Sequence, residues 1–124
     1  MFVQTPAAAA ALLAPYFASS PEEIVAVLHL DGGGRLLATT YSARGGADEV
    51  ELPVRDILAA ALRMGAASIV VAHNHPSGDP TPSEADLSAT RRLAEAAAAA
   101  GIRLTDHLVF GEQDCRSFRE LGLL

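Results

Sequence analysis

Tryptophan is absent from these 124 residues, and aromatic side chains make up only 5% of them. Cysteine occurs once, as Cys115, so no intrachain disulfide can form and nothing calls for an oxidising compartment. Basic residues are also few. Nine stand against fifteen acidic ones, they are scattered, and the formal net charge is −6. Duplex binding rests on neutralising phosphates with clustered basic side chains, so no nucleic-acid footprint is indicated by charge, although acidity alone does not exclude one. The apolar run from Ala7 to Ala14 has no basic residue before it, is flanked by Pro6 and Pro15, and is short for a membrane span. It reads as an amphipathic first helix, and the protein reads as cytoplasmic with no membrane partner.

What remains is a globular composition, 50% hydrophobic and 19% charged. The length suits one compact domain and is too short for two ordinary ones. Thr5-Pro6 predicts a helix start, with Pro15 ending or kinking that helix. A loop is expected at Ser19-Ser20-Pro21. Ile24 to Leu30 and Arg35 to Tyr41 read as two strands of a hairpin around Asp31-Gly32-Gly33-Gly34. Arg44-Gly45-Gly46 opens another loop, and Glu49 to Leu52 is a short possible strand. Ile57, Leu58, Ala61 and Leu62 recur at helical spacing after Pro53, with Gly65 as the stop. Ser68 to Ala72 is a buried strand, Ser83 to Ala100 a long helix closed by Gly101, and Ile102 to Phe110 a last strand. Gly111 to Leu124 is expected to hold a turn of helix. Strands alternating with helices predict a single three-layer α-β-α domain.

The chemistry concentrates in His73-Asn74-His75-Pro76-Ser77-Gly78-Asp79-Pro80-Thr81-Pro82-Ser83-Glu84-Ala85-Asp86. Side chains alternate along a strand, so His73 and His75 leave Ser68–Ala72 on one face. Asp86 returns from the next element. Two imidazoles and a carboxylate suit a tetrahedral zinc ion with its fourth position open, the pattern of a catalytic rather than a structural site. Three prolines and one glycine stiffen the loop from Pro76 to Pro82 and set the distance between His75 and Asp86 in advance. A plainer account exists for part of this. Ser83 and Asp86 also form a capping-box pattern, which explains both without a metal. The two accounts are compatible, because a helix N-terminus is a favourable place for a carboxylate.

The spacing His73-x-His75-Pro76, six residues, Ser83, two residues, Asp86 resembles the signature of the JAB/MPN+ (JAMM) metalloproteases. The fuller likeness is to the RadC branch, carried by Pro53-Val54-Arg55-Asp56-Ile57, by Ala72 to Asp79 and by Leu104 to Gly111. It extends from about Pro6 to Gly111. The helix-hairpin-helix region that precedes this domain in longer RadC proteins is not seen, so the resemblance implies one JAB/MPN domain over 1–124. It implies a mixed central sheet of the cytidine-deaminase-like kind, zinc ligands at His73, His75 and Asp86, and an oxyanion-steadying serine at Ser83. It further implies a glutamate base, which Glu23 fits because Ala26-Val27-Leu28 follows it. Glu22 is one residue off, and Glu49 and Glu51 lie too far along.

The activity so implied is cleavage of a peptide or isopeptide bond in a peptide or protein substrate. Zinc lowers the pKa of water to about 7, Glu23 carries its proton to the leaving amine, and Ser83 donates to the oxyanion. The alternatives are a DNA-repair or mobile-element accessory of the RadC type and a zinc-stabilised binding module without turnover. Deaminase and zincin signatures are missing. His29 reads as an ordinary core or surface histidine, and Cys115 as a packed thiol. His107, with Asp106, reads as a structural hydrogen-bonding residue, since nothing in its spacing ties it to the metal. Asn74 is expected to fix its loop and Asp79 to make a turn contact. Oligomeric state stays open.

Overall fold

The computed structural model describes residues 1–18, 22–44 and 52–124. The expected loop at Ser19–Pro21, the expected loop at Arg44-Gly45-Gly46 apart from Arg44, which ends a strand instead, and the expected strand at Glu49–Leu52 apart from Leu52 lie outside these residues. Among the described residues three helices, α1 (Pro6–Phe17), α2 (Val54–Met64) and α3 (Glu84–Ala99), pack on a sheet of five strands. The strands are β1 (Glu23–Leu30), β2 (Leu36–Arg44), β3 (Ser68–Asn74), β4 (Arg103–Phe110) and β5 (Cys115–Ser117). Their order in the sheet is β2-β1-β3-β4-β5, with β3 and β4 parallel and every other neighbour antiparallel. The sheet is therefore mixed, as expected.

Two apolar cores lie on its two faces. Val25, Val27, Ile69, Val71 and Leu104 pack beneath α2 and α3, against Ile57, Ala61, Ala89, Leu93 and Ala97. Ala26, Leu28, Val70, Ala72 and Leu108 pack beneath α1, against Ala9, Leu13 and Phe17. Period-two alternation sorts the strand residues, and burying both faces gives three layers. Among the described residues no helix is long and apolar enough to cross a membrane.

Local chemistry explains most boundaries. The Thr5 side chain accepts from the Ala8 amide, and Pro6 occupies the first helical position where its missing N–H costs nothing. Gly65 ends α2 at φ 69°, a left-handed conformation that a Cβ would strain. Pro15 does not end α1, which runs through it to Phe17. Close to the helix end, proline forfeits one backbone bond, and the Ala18 amide still donates to Ala14. Phe17 also stacks on Phe110 with ring centroids 4.6 Å apart, which anchors the last turn. Nor is α1 amphipathic in the usual sense: only Ala9, Leu13 and Phe17 are buried, and its outward face is largely alanine.

The C-terminal segment adds a strand that the sequence did not suggest: Cys115–Ser117 pairs with β4, and the expected turn follows it, with the Leu121 amide donating to Ser117 O at 3.0 Å. Pairing covers the backbone edge of β4, and Phe118 is fully buried beyond it. Cys115 packs on the α1 side, and burial first, then the charges of Asp106 and Glu120, pushes its thiol up to about 11. It is a packed thiol.

His29 is buried in β1, with Nε2 2.9 Å from Thr40 Oγ1. Burial, aided by the Arg63 charge, holds its pKa below the ordinary value. Folded His29 thus resists a proton that the unfolded chain accepts near pH 6.5, so stability falls as pH drops through that value. The slope is at most about 1.4 kcal/mol per pH unit for one histidine. Denaturant unfolding of wild type and His29→Gln from pH 7.5 to 5.5 should show the variant with the shallower dependence; equal slopes would contradict this.

Candidate metal centre

β3 carries the first candidate. His73 is fully buried on the face shared with Val71, while His75 lies just past the strand end with its amide donating to Phe110 O at 2.9 Å. Asp86 arrives from the first turn of α3. Ser83 caps that helix: its Oγ accepts from the Asp86 amide at 3.1 Å, and its own amide donates to Asp86 Oδ2 at 2.8 Å. The capping box is therefore present, and it locks the rotamer that turns the carboxylate toward the histidines. His73 Nε2 is 3.2 Å from Asp86 Oδ1, and His75 Nε2 is 2.9 Å from Oδ2. One ligand atom from each of the three residues falls within 4.8 Å of the others, so the group could hold a metal ion.

Donor chemistry fits an ion at that point. The outer nitrogen of His75, Nδ1, lies 2.8 Å from Asp79 O, a carbonyl that can only accept. That bond places the proton on Nδ1 and leaves Nε2 as a lone pair facing the carboxylate. His73 Nε2 and Asp86 Oδ1 are buried and have no hydrogen-bond partner among the described residues. Lone pairs facing a carboxylate oxygen repel unless a proton or a metal cation lies between them. Burial would push the Asp86 carboxyl up, but when the imidazoles are protonated on Nε2 the His73 ring, the Ser83 amide and the charge of both imidazoles outweigh it and hold Asp86 below the ordinary carboxylate range; a metal cation would bring positive charge to the same point.

Glu23 opens β1 and is buried. Val25 pairs with His73, so two residues back Glu23 points to the same face of the sheet as His73 and toward the end where His75 emerges. Asn74 grips this part of the chain. Its Oδ1 accepts from the Ile24 amide at 2.7 Å and its Nδ2 donates to Glu22 O at 3.0 Å, bracketing Glu23. Asn74 thus fixes the start of β1 rather than its own loop. Ser83 is exposed at the mouth of the cluster. Glu49 and Glu51 lie outside the described residues.

Asp79 makes the expected turn contacts, accepting from the Thr81 amide and hydroxyl at 3.0 and 2.7 Å, and it also presents the carbonyl that orients His75. Gly111 makes this loop possible. A Cβ there would strike the Gly78 carbonyl and lie within 2.8 Å of Pro80 Cδ. Those atoms belong to backbone and a proline ring, so they cannot swing aside. Gly111→Ala is expected to cost about 1–3 kcal/mol in denaturant unfolding and to weaken metal uptake through Asp79 and His75. Wild-type stability with wild-type uptake would contradict it.

His107 is the residue whose place the linear spacing did not reveal. Ile69 pairs with Leu104 but Val70 pairs with Asp106, a bulge that skips Thr105. The skip reverses the alternation of β4 and sets His107 beside Val71, on the face with His73. His107 Nε2 is 2.7 Å from His73 Nδ1. Burial first, then the neighbouring His73, drives the His107 pKa well below its ordinary value. Asp106 is structural: it accepts from the amides of His107 and Arg119 and from the Ser117 hydroxyl. A concavity of about 690 Å³ lies at the other end of β3, lined by residues such as Asp31, Ser68, Arg103 and Arg119, and contains none of the cluster.

Residues 3–123 match the RadC-like JAB domain family. The chain belongs to this family. Similar relatives are the UPF0758 proteins of Rhodobacter capsulatus, 45% identical over 107 residues (86% of this chain, 50% of the relative), and of Polaromonas sp., 42% identical over 120 residues (97% and 54%). A UPF0758 protein of Vibrio cholerae is 45% identical over 102 residues, covering 82% of this chain and 64% of the relative. The chain spans about half the length of the curated relatives it matches. Within this RadC-like JAB domain, the His-His-Asp cluster is the candidate metal centre.

Proposed function

We propose that this domain is a zinc-dependent hydrolase that cleaves a peptide or isopeptide bond in a peptide or protein substrate. One observation carries the reading: His73 Nε2, His75 Nε2 and the Asp86 carboxylate converge on one point. Two imidazole nitrogens and a carboxylate oxygen form a donor set that suits zinc and leaves a coordination position for substrate or water. A divalent ion held there supplies Lewis-acid polarisation and brings the pKa of water to about 7.

The protein side chains then divide the proton work. Glu23 accepts a proton from the attacking water and delivers it to the departing amine nitrogen. Ser83 spends an oxygen lone pair on the Asp86 amide, which leaves its O–H proton for the oxyanion that forms on the scissile carbonyl. Neither task asks the helix cap to open.

The test is a zinc-loaded chain assayed on a panel of peptide and isopeptide substrates. Hydrolysis lost on chelation and regained with zinc supports the reading, whereas turnover that survives full metal removal sinks it. Zinc uptake without any hydrolysis would favour a binding module. A salt-dependent shift of branched DNA without hydrolysis would favour an accessory role of the RadC type.

A further inference from the structure

His73 touches no backbone carbonyl through its outer nitrogen, unlike His75; it touches another histidine. That difference makes its tautomer depend on a longer series of contacts. Thr90 lies one helical turn beyond Asp86 on α3, and its Oγ1 is 2.6 Å from Asp86 O. A second short contact joins Thr90 Oγ1 to His107 Nδ1. His107 Nε2 then meets His73 Nδ1 at 2.7 Å. The series begins at the backbone of one proposed ligand and ends on the ring of another. Thr90 and His107 are both buried, and Phe118 stacks on the His107 ring with centroids 4.7 Å apart, so the ring plane is held.

Its polarity follows from the atoms. A carbonyl only accepts, so the single Thr90 hydroxyl proton goes to Asp86 O. Thr90 Oγ1 is then left to accept from His107 Nδ1. With that nitrogen protonated, neutral His107 offers the lone pair of Nε2, which accepts from His73 Nδ1. His73 Nε2 is consequently left bare toward Asp86 Oδ1. The opposite polarity would need the Thr90 hydroxyl proton to leave Asp86 O for His107 Nδ1, which would strip the bond that the carbonyl accepts.

We infer that Thr90 and His107 are positioning residues that fix which nitrogen of His73 is offered to the metal, an inference that rests on the metal reading above. Metal-bound histidines need such an outer partner to set tautomer and ring orientation. Here the partner lies 34 residues away on β4 and is itself set by a hydroxyl on α3.

The test uses the full chain and two readouts. Long-range 1H–15N spectra of the metal-free wild type at pH 8, with labelled histidines, should show His73 and His107 each protonated on Nδ1. A wild-type His73 protonated on Nε2 overturns the inference. Chelator competition with Zn2+ should then show Thr90→Val binding about 10–100-fold more weakly, with Thr90→Ser close to wild type. Thr90→Val binding as tightly as wild type also overturns it. Should Thr90→Val fail to fold, the wild-type spectrum and the Thr90→Ser affinity decide the matter. A wild type that takes up no zinc refutes the metal reading, and the spectrum still judges the hydrogen-bond series by itself.

Discussion

Asp86→Asn should abolish the thermal stabilisation that zinc confers while leaving the metal-free protein folded. The asparagine keeps one side-chain oxygen, which can still accept from the Ser83 amide, so the cap of α3 survives. Its amide nitrogen, however, brings two protons and no charge to the Oδ1 position, opposite His73 Nε2. Loss of an outer-sphere partner typically weakens metal binding about 10–100-fold, and loss of a ligand atom should exceed that. At free zinc a thousandfold above the wild-type Kd, binding stabilises the fold by about 4 kcal/mol. For a chain of this size that corresponds to a rise in Tm of roughly 15 °C. Calorimetry with and without zinc reads the effect directly. A similar rise in Asp86→Asn would show that the ion, if bound, does not use this carboxylate.

Glu23→Gln should lower turnover about 100- to 10,000-fold with zinc content unchanged, the range expected for removing a general base. Glutamine matches glutamate in shape, so the buried start of β1 and its Asn74 clamp should persist. What disappears is the ability to take a proton. Steady-state kinetics and metal analysis on one sample separate the two effects. Full turnover at full zinc occupancy would refute Glu23 as the base, and loss of zinc together with turnover would point to a role in shaping the centre.

Much of the candidate centre is readable from linear spacing because its determinants are local. Two residues two apart at a strand end share a face whatever surrounds them, and a serine three residues ahead of Asp86 writes its own helix cap. Register then extends this logic to Glu23 through the pairing of β1 with β3. Other features resist such reading. Pro15 carries the ordinary helix-ending signal, yet the stacking of Phe17 on a phenylalanine 93 residues away in β4 keeps the last turn helical. β5 is three residues long, too short for any periodic pattern, and exists because β4 has an edge to cover.

His107 marks the division most clearly. By the sequence alone this chain is committed to a three-layer α/β domain with His73, His75 and Asp86 grouped around one stiff loop, since alternation, turns and caps act over a few residues. Only the folded molecule decides that a bulge at Thr105 turns His107 toward His73, that Asn74 clamps the segment holding Glu23, and that Gly111 leaves room for the loop behind His75. Those arrangements depend on strand register and on contacts between distant segments, and a one-residue slip in either would send the same side chains to the opposite face.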